Sequence, residues 1–118
     1  MPAPEITQEM IDTYQCEGVV LVKGLWADWV DTIRAGIDRN MAEPGPYASE
    51  NLKPGEGGRF FDDYCNWTRI PEFAEMIKGS AVAEVAAALM RSQMVQVFPD
   101  HVLVKEPGTS KPTPWHQD

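Results

Sequence analysis

Apolar and polar positions along the chain alternate between two periods, and the period changes once. Ile6, Met10, Ile11 and Tyr14 recur at helical spacing behind Thr7, a good N-cap, and ahead of Gly18, so a short helix is predicted over 7–15. The β-branched run "VVLVK" at 19–23 predicts a buried strand. Val30, Ile33, Ile37 and Met41 then share one helical face while Asp31, Arg34, Asp38 and Arg39 take the other, predicting a helix over 28–42 that stops at "EPGP". A loop rich in proline and glycine fills 44–58, and "RFFDDYCNW" at 59–67 reads as partly extended. Pro71 opens a helix carrying Phe73, Ala74 and Ile77; Gly79 ends it, and Ser80 caps another built on Val82, Val85, Ala86, Leu89 and Met90. Beyond 93 the period shortens. "MVQVF" at 94–98 and "HVLVKE" at 101–106 are predicted strands, parted by Pro99-Asp100, and "WHQD" at 115–118 begins a further one.

The fold class that follows is α+β: a mainly helical part over 1–93, then strands from 94 to 118, within a single domain. Two or three strands leave a long unpaired edge, so the chain reads as the N-terminal portion of a larger fold. A loop as long as 44–58 within a compact domain is usually functional or mobile.

Composition narrows the function classes. Ten Lys+Arg against 18 Asp+Glu give a formal net charge of −8. Such a surface repels phosphate backbones and anionic lipid, which argues against nucleic-acid and membrane partners. The acidic start "MPAPEITQEM" has no basic stretch leading into an apolar one, so no secretory signal is read and a cytoplasmic location is expected. Cys16 and Cys65 lack CxxC spacing and are expected to be reduced, inert thiols.

The candidate chemistry sits in "KPTPWHQD" at 111–118. On an extended strand His116 and Asp118 point to one face. An imidazole nitrogen and a carboxylate oxygen there are two of the three ligands of a facial triad on Fe(II), which leaves positions open for co-substrate and O2. With two His in the chain, a His-x-Asp arises by chance roughly one time in ten, so the bare motif alone is better read as a solvated polar strand end. A structural zinc site would need a Cys/His quartet that the spacing does not supply. His101, the other histidine, reads as a capping or solvent-facing residue beside a turn. Asp62 and Asp63 are neighbours on an extended stretch and face apart, which favours structural roles over an acid/base dyad. Phe60, Phe61, Trp67 and Trp115 read as core aromatics before pocket walls.

The run "DHVLVKEPGTSKPTPWHQD" at 100–118 resembles the approach to the metal motif in the phytanoyl-CoA dioxygenase family of Fe(II)- and 2-oxoglutarate-dependent oxygenases. "RFFDDYCNWTRIPEFAEMI" at 59–77 and the opening helix, "EGVVLVKGL" and second helix resemble the same family more loosely. The resemblance implies a double-stranded β-helix, a cupin-like jelly-roll, buttressed by the N-terminal helices, with His116 and Asp118 as the first metal ligands. It implies 2-oxoglutarate as co-substrate beside Fe(II) and O2, with Arg59 standing where the family places a cation near the oxo-acid and Val102 on a strand that contacts it. Lys105 and Thr113, which flank the motif loop, are weaker candidates for the same contact. The implied reaction hydroxylates an unactivated C–H of a small organic substrate, yielding succinate and CO2. An Asp at 118 favours hydroxylation over halogenation. A distal His and a carboxylate-binding Arg belong to the family's pattern downstream, so the 118 residues alone are expected to be inactive. The alternative is a non-catalytic jelly-roll or cupin-like binding module.

Overall fold

The computed structural model describes residues 5–117. Its first helix, α1 (Gln8–Glu17), begins as the sequence requires: the Thr7 hydroxyl accepts the Met10 N–H at 3.3 Å, and Gly18 closes it at φ +78°. A 3-10 turn at Ala27–Trp29 leads into α2 (Val30–Ala42), and α3 (Pro71–Gly79) starts on its proline. The Ser80 hydroxyl accepts the Val82 N–H at 3.2 Å, and α4 (Val82–Met90) ends on Arg91 at φ +53°.

Three antiparallel strands are formed among the described residues: β1 (Ser49–Glu50), β2 (Phe60–Tyr64) and β3 (His101–Lys105), in the order β1-β2-β3. The register pairs Phe61 with Val104 and Asp63 with Val102, so these four side chains share one sheet face. Phe60, Asp62 and Tyr64 take the opposite face with Lys105, Leu103 and His101. The core is small: Phe60, Phe61, Ile70, Phe73 and Val85 are its buried apolar side chains.

The predicted apolar face of α2 holds at Ile33, Ile37 and Met41, which are half-buried, and Asp31, Arg34, Asp38 and Arg39 are exposed as predicted, but the most buried line lies beside that face. Gly36 and Asn40 are its buried residues, whereas Val30 is exposed. A Cβ at Gly36 would stand 2.6 Å from Phe73 Cε1, so the missing side chain is what lets α3 seat its Phe73 against α2. Arg39 locks the same pair of helices through a forked contact with Glu72, Nε to both carboxylate oxygens at 3.2 and 3.0 Å and Nη2 to Oε1 at 2.6 Å. The two helices are thus joined by a close approach and an ion pair, beside an apolar cleft that Ile33 and Ile37 share with Phe73, Met76 and Ile77.

Three predicted strands are not formed. Residues 19–22 are irregular and run into a turn, with Val19 and Leu21 exposed. Residues 94–98 are irregular too, and Met94 and Phe98 are 83% and 88% exposed. At 115–117 the chain is irregular, with Trp115 fully exposed, and Asp118 lies outside the described residues. The physical reason is common to all three. β-branched and aromatic composition favours a strand only where a neighbouring ladder takes up its N–H and C=O groups, and no described strand runs beside these segments. Conversely, Ser49–Glu50 forms a strand inside the predicted loop because β2 offers it an edge, pairing Ser49 with Asp62 and Glu50 with Phe61.

Candidate metal-ligand arm and its supports

His116 lies on an exposed arm, residues 111–117, that follows β3 and a glycine turn. Its Nδ1 is 2.8 Å from the Pro114 carbonyl oxygen. A carbonyl can only accept, so in the neutral imidazole this contact places the proton on Nδ1 and leaves Nε2 as the nitrogen with the lone pair. That is the tautomer a metal-binding imidazole adopts when a backbone carbonyl holds its other nitrogen. The donor chemistry of His116 therefore fits a ferrous ion. Among the described residues no group of three or more His, Cys, Asp or Glu side chains converges on one point.

Arg59 stands at the foot of β2. Its backbone N–H donates to Glu106 Oε1 at 2.7 Å, and its side chain binds Glu50 through Nε at 2.8 Å and Nη2 at 2.6 Å. The guanidinium also lies 5.2 Å from the centre of the Phe61 ring. Val102 lies on the other half of this face, toward the helices, where it lines a cleft of about 320 Å³ with Ile33, Ile37, Phe73, Met76 and Ile77. Lys105 points to the opposite face, its ammonium 4.9 Å from the Phe60 ring centre, and Thr113 is exposed on the arm. His101 begins β3 with Nε2 3.5 Å from Asp62 Oδ1 and its ring edge-on to Tyr64, which itself stacks on Tyr47 at 4.9 Å. The structure thus brings Arg59 together with Glu50, and His101 with Asp62. Arg59 lies opposite Glu106 and Val102 opposite Asp63, four strand positions apart.

Asp62 and Asp63 part as adjacent strand residues must. Asp63 is fully buried, accepting from Asn40 Nδ2 at 2.9 Å, the Gly45 N–H at 2.7 Å and the Tyr64 N–H at 2.9 Å. Burial is the largest single influence on its carboxyl and opposes the charge. The Gly45 amide, Asn40, Asn66 and the Tyr64 amide together outweigh it and hold the pKa below the ordinary Asp range. Because Asn40 Nδ2 is committed to Asp63, its Oδ1 is left as a buried acceptor without a partner among the described residues. Asp100 supports the neighbouring turn: its carboxylate accepts the N–H groups of Asn66 and Trp67 at 3.0 Å, and its carbonyl accepts that of Cys65.

The sequence reading missed a junction between two loops. The Ser110 N–H donates to Glu56 Oε1 at 2.9 Å, and the Ser110 hydroxyl donates to the same oxygen. Glu56 Oε2 accepts the Lys53 N–H at 3.2 Å. The Ser110 hydroxyl is the main reason the Glu56 carboxyl is held below the ordinary Glu range, the Lys53 and Ser110 amides adding to it against a smaller opposing effect of burial. Gly58 approaches the Pro107 carbonyl so closely that a Cβ there would overlap it, and Gly108 turns at φ +98° beside Gly58. Gly58 and Gly108 are the available signal, the first because the backbones meet where a side chain is missing and the second because of its positive φ.

Cys16 and Cys65 are both free, and no helix among the described residues is long and apolar enough to cross a membrane. The family model for phytanoyl-CoA dioxygenase (PhyH) matches residues 14–118. No curated protein and no solved structure matches the chain at a significant level.

Proposed function

The chain belongs to the phytanoyl-CoA dioxygenase family, and from that premise we propose that it supplies the first metal-ligand pair of an Fe(II)- and 2-oxoglutarate-dependent oxygenase. The observation that carries the reading is the family match running through "PWHQD", combined with a His116 held in the metal-binding tautomer by Pro114. In this reading His116 Nε2 and the Asp118 carboxylate bind Fe(II), and a small organic substrate is hydroxylated at an unactivated C–H. The iron, when bound, supplies the activation of O2 that no side chain can provide. The chain's part is to hold two donors in place and to keep the imidazole proton on Nδ1.

Arg59 is the cation proposed for the co-substrate carboxylate. Its present partner is Glu50, so engagement of the oxo-acid would exchange one carboxylate for another. Val102 contributes by packing, since its side chain lines the helix-side cleft. The jelly-roll is the fold in which these elements would complete their sheet.

Co(II), a spectroscopically visible stand-in for Fe(II), tests the ligand assignment directly. The 118-residue chain is expected to bind it weakly, and His116→Ala is expected to lower the affinity by at least about tenfold, as even outer-shell losses do. Equal affinity in the two proteins would remove His116 from the site. Turnover of 2-oxoglutarate by these residues alone is expected to be nil, because His101, the second histidine, is occupied beside Asp62 and the triad needs two imidazoles. Iron-dependent succinate formation would contradict that.

A further inference from the structure

The 111–117 arm is exposed along its whole length, and between residues 111 and 115 it makes no hydrogen bond to the body of the protein among the described contacts. Its root is different. At Ser110 both the backbone N–H and the hydroxyl converge on one oxygen of Glu56, and the Thr109 hydroxyl donates to the Glu106 carbonyl at 3.2 Å. Glu56 is in turn fixed within its own loop, its carboxylate accepting from Lys53 N–H and its N–H donating to the Lys53 carbonyl at 3.3 Å. Behind it, Gly58 lies against Pro107, and the Arg59 and Glu106 backbones extend the β2–β3 ladder, Glu106 N–H to Arg59 carbonyl at 2.8 Å. The loop is therefore built against the root of the arm at three successive places.

Beyond Ser110 the chain is stiff. Pro112 and Pro114 fix their own φ near −65° and drive Lys111 and Thr113 toward extended backbone. Six residues of such chain reach at most about 20 Å and bend little. An anchor at residue 110 consequently fixes where residue 116 can be.

We propose that Glu56 is a positioning residue for the metal pair: through Ser110 it anchors the arm and sets His116 and Asp118 relative to the sheet. This assigns a role to the 51–58 loop, whose Gly58 lets it lie against the turn and whose Glu56 carboxylate grips it. The proposal rests on the assignment of His116 as a metal ligand, and its test separates the two.

Two substitutions are compared in the 118-residue chain. Glu56→Ala removes the acceptor, while Glu56→Gln keeps a carbonyl oxygen for both Ser110 donors. Backbone 15N relaxation without metal reads the anchoring itself. Order at residues 109–117 is expected to fall in Glu56→Ala and to be retained in Glu56→Gln, with the helices unchanged in both. Co(II) titration then reads the consequence: about tenfold weaker binding in Glu56→Ala and affinity within about twofold of the parent in Glu56→Gln. Unchanged order of the arm in Glu56→Ala overturns the proposal, whether or not Co(II) binds. So does a loosened arm that binds Co(II) as tightly as the parent. If the parent chain and His116→Ala hold Co(II) equally, the ligand assignment fails, and with it the metal-positioning role, leaving Glu56 as a loop clasp only.

Discussion

Asp63 shows how a single carboxylate can tie three parts of this chain together. It is carried on β2, and it takes donors from the end of α2 through Asn40 and from the following loop through Gly45. Removing it strands those donors in a buried place, so Asp63→Ala should destabilise the fold by about 3 kcal/mol, read as a lowered midpoint in urea unfolding. Acid should act on the same group. Asp63 and Glu72 both have folded pKa values below their ordinary ones, near 3.8 and 4.5, Asp63 despite burial and Glu72 chiefly through its hydrogen bond from Arg39. The unfolded chain then binds more protons in mild acid, and the stability they contribute is present above the ordinary values and lost as pH falls through the depressed ones. Urea midpoints should accordingly hold level down to about pH 5 and decline below it, more shallowly in Asp63→Ala. A midpoint that rises on acidification would refute this linkage.

At the level of elements, the helices were readable because their signals are local. Thr7, Gly18, Pro71 and Ser80 act within a few residues of where they sit, and each performs the capping or starting role its chemistry suggests. The apolar face of α2 is legible at Ile33, Ile37 and Met41, but its fully buried line runs through Gly36 and Asn40, a residue without a side chain and a polar one. Only the facing Phe73 and Asp63 make those two buried, and neither partner is visible from the helix's own sequence. Gly36→Val should therefore cost about 1–3 kcal/mol by driving a side chain into Phe73, whereas Val30→Ala at the exposed start of α2 should cost well under 1 kcal/mol. Thermal unfolding of the two variants measures the contrast. The strands at 19–23 and 94–98 failed for the converse reason: their composition was right, but a strand is a property of a pair. The candidate ligands followed the same division. His116 was legible as a residue type, while the Glu56–Ser110 contact that roots its arm joins positions 54 apart and left only glycines as a trace.

The whole molecule is looser than its length would suggest. Its radius of gyration is 16.3 Å, against about 13.5 Å for a compact chain of this size. The excess reflects segments that stand off the core, and several of them are apolar: Leu21, Met94, Phe98 and Trp115 are all exposed. Apolar surface on this scale promotes association in water. The double substitution Met94→Ser with Phe98→Ser should thus reduce self-association in sedimentation velocity, yet leave the unfolding midpoint within about 0.5 kcal/mol of the parent, since neither side chain is packed. A large loss of stability would mean that the segment is folded against the body.

The register of β2 against β3 also governs the order in which the chain can assemble. Pairing Phe60 with Lys105 closes a span of 45 residues, and both α3 and α4 lie inside it. Closing so long a loop has to follow the formation of its contents, because the entropy lost is repaid only when the strands meet. The two helices inside the span, α3 and α4, are neighbours in sequence and can pair early. The ladder is expected to close after them, and with it the junction of Gly58 with Pro107, so the arm bearing His116 is expected to be rooted only after α3 and α4 have paired.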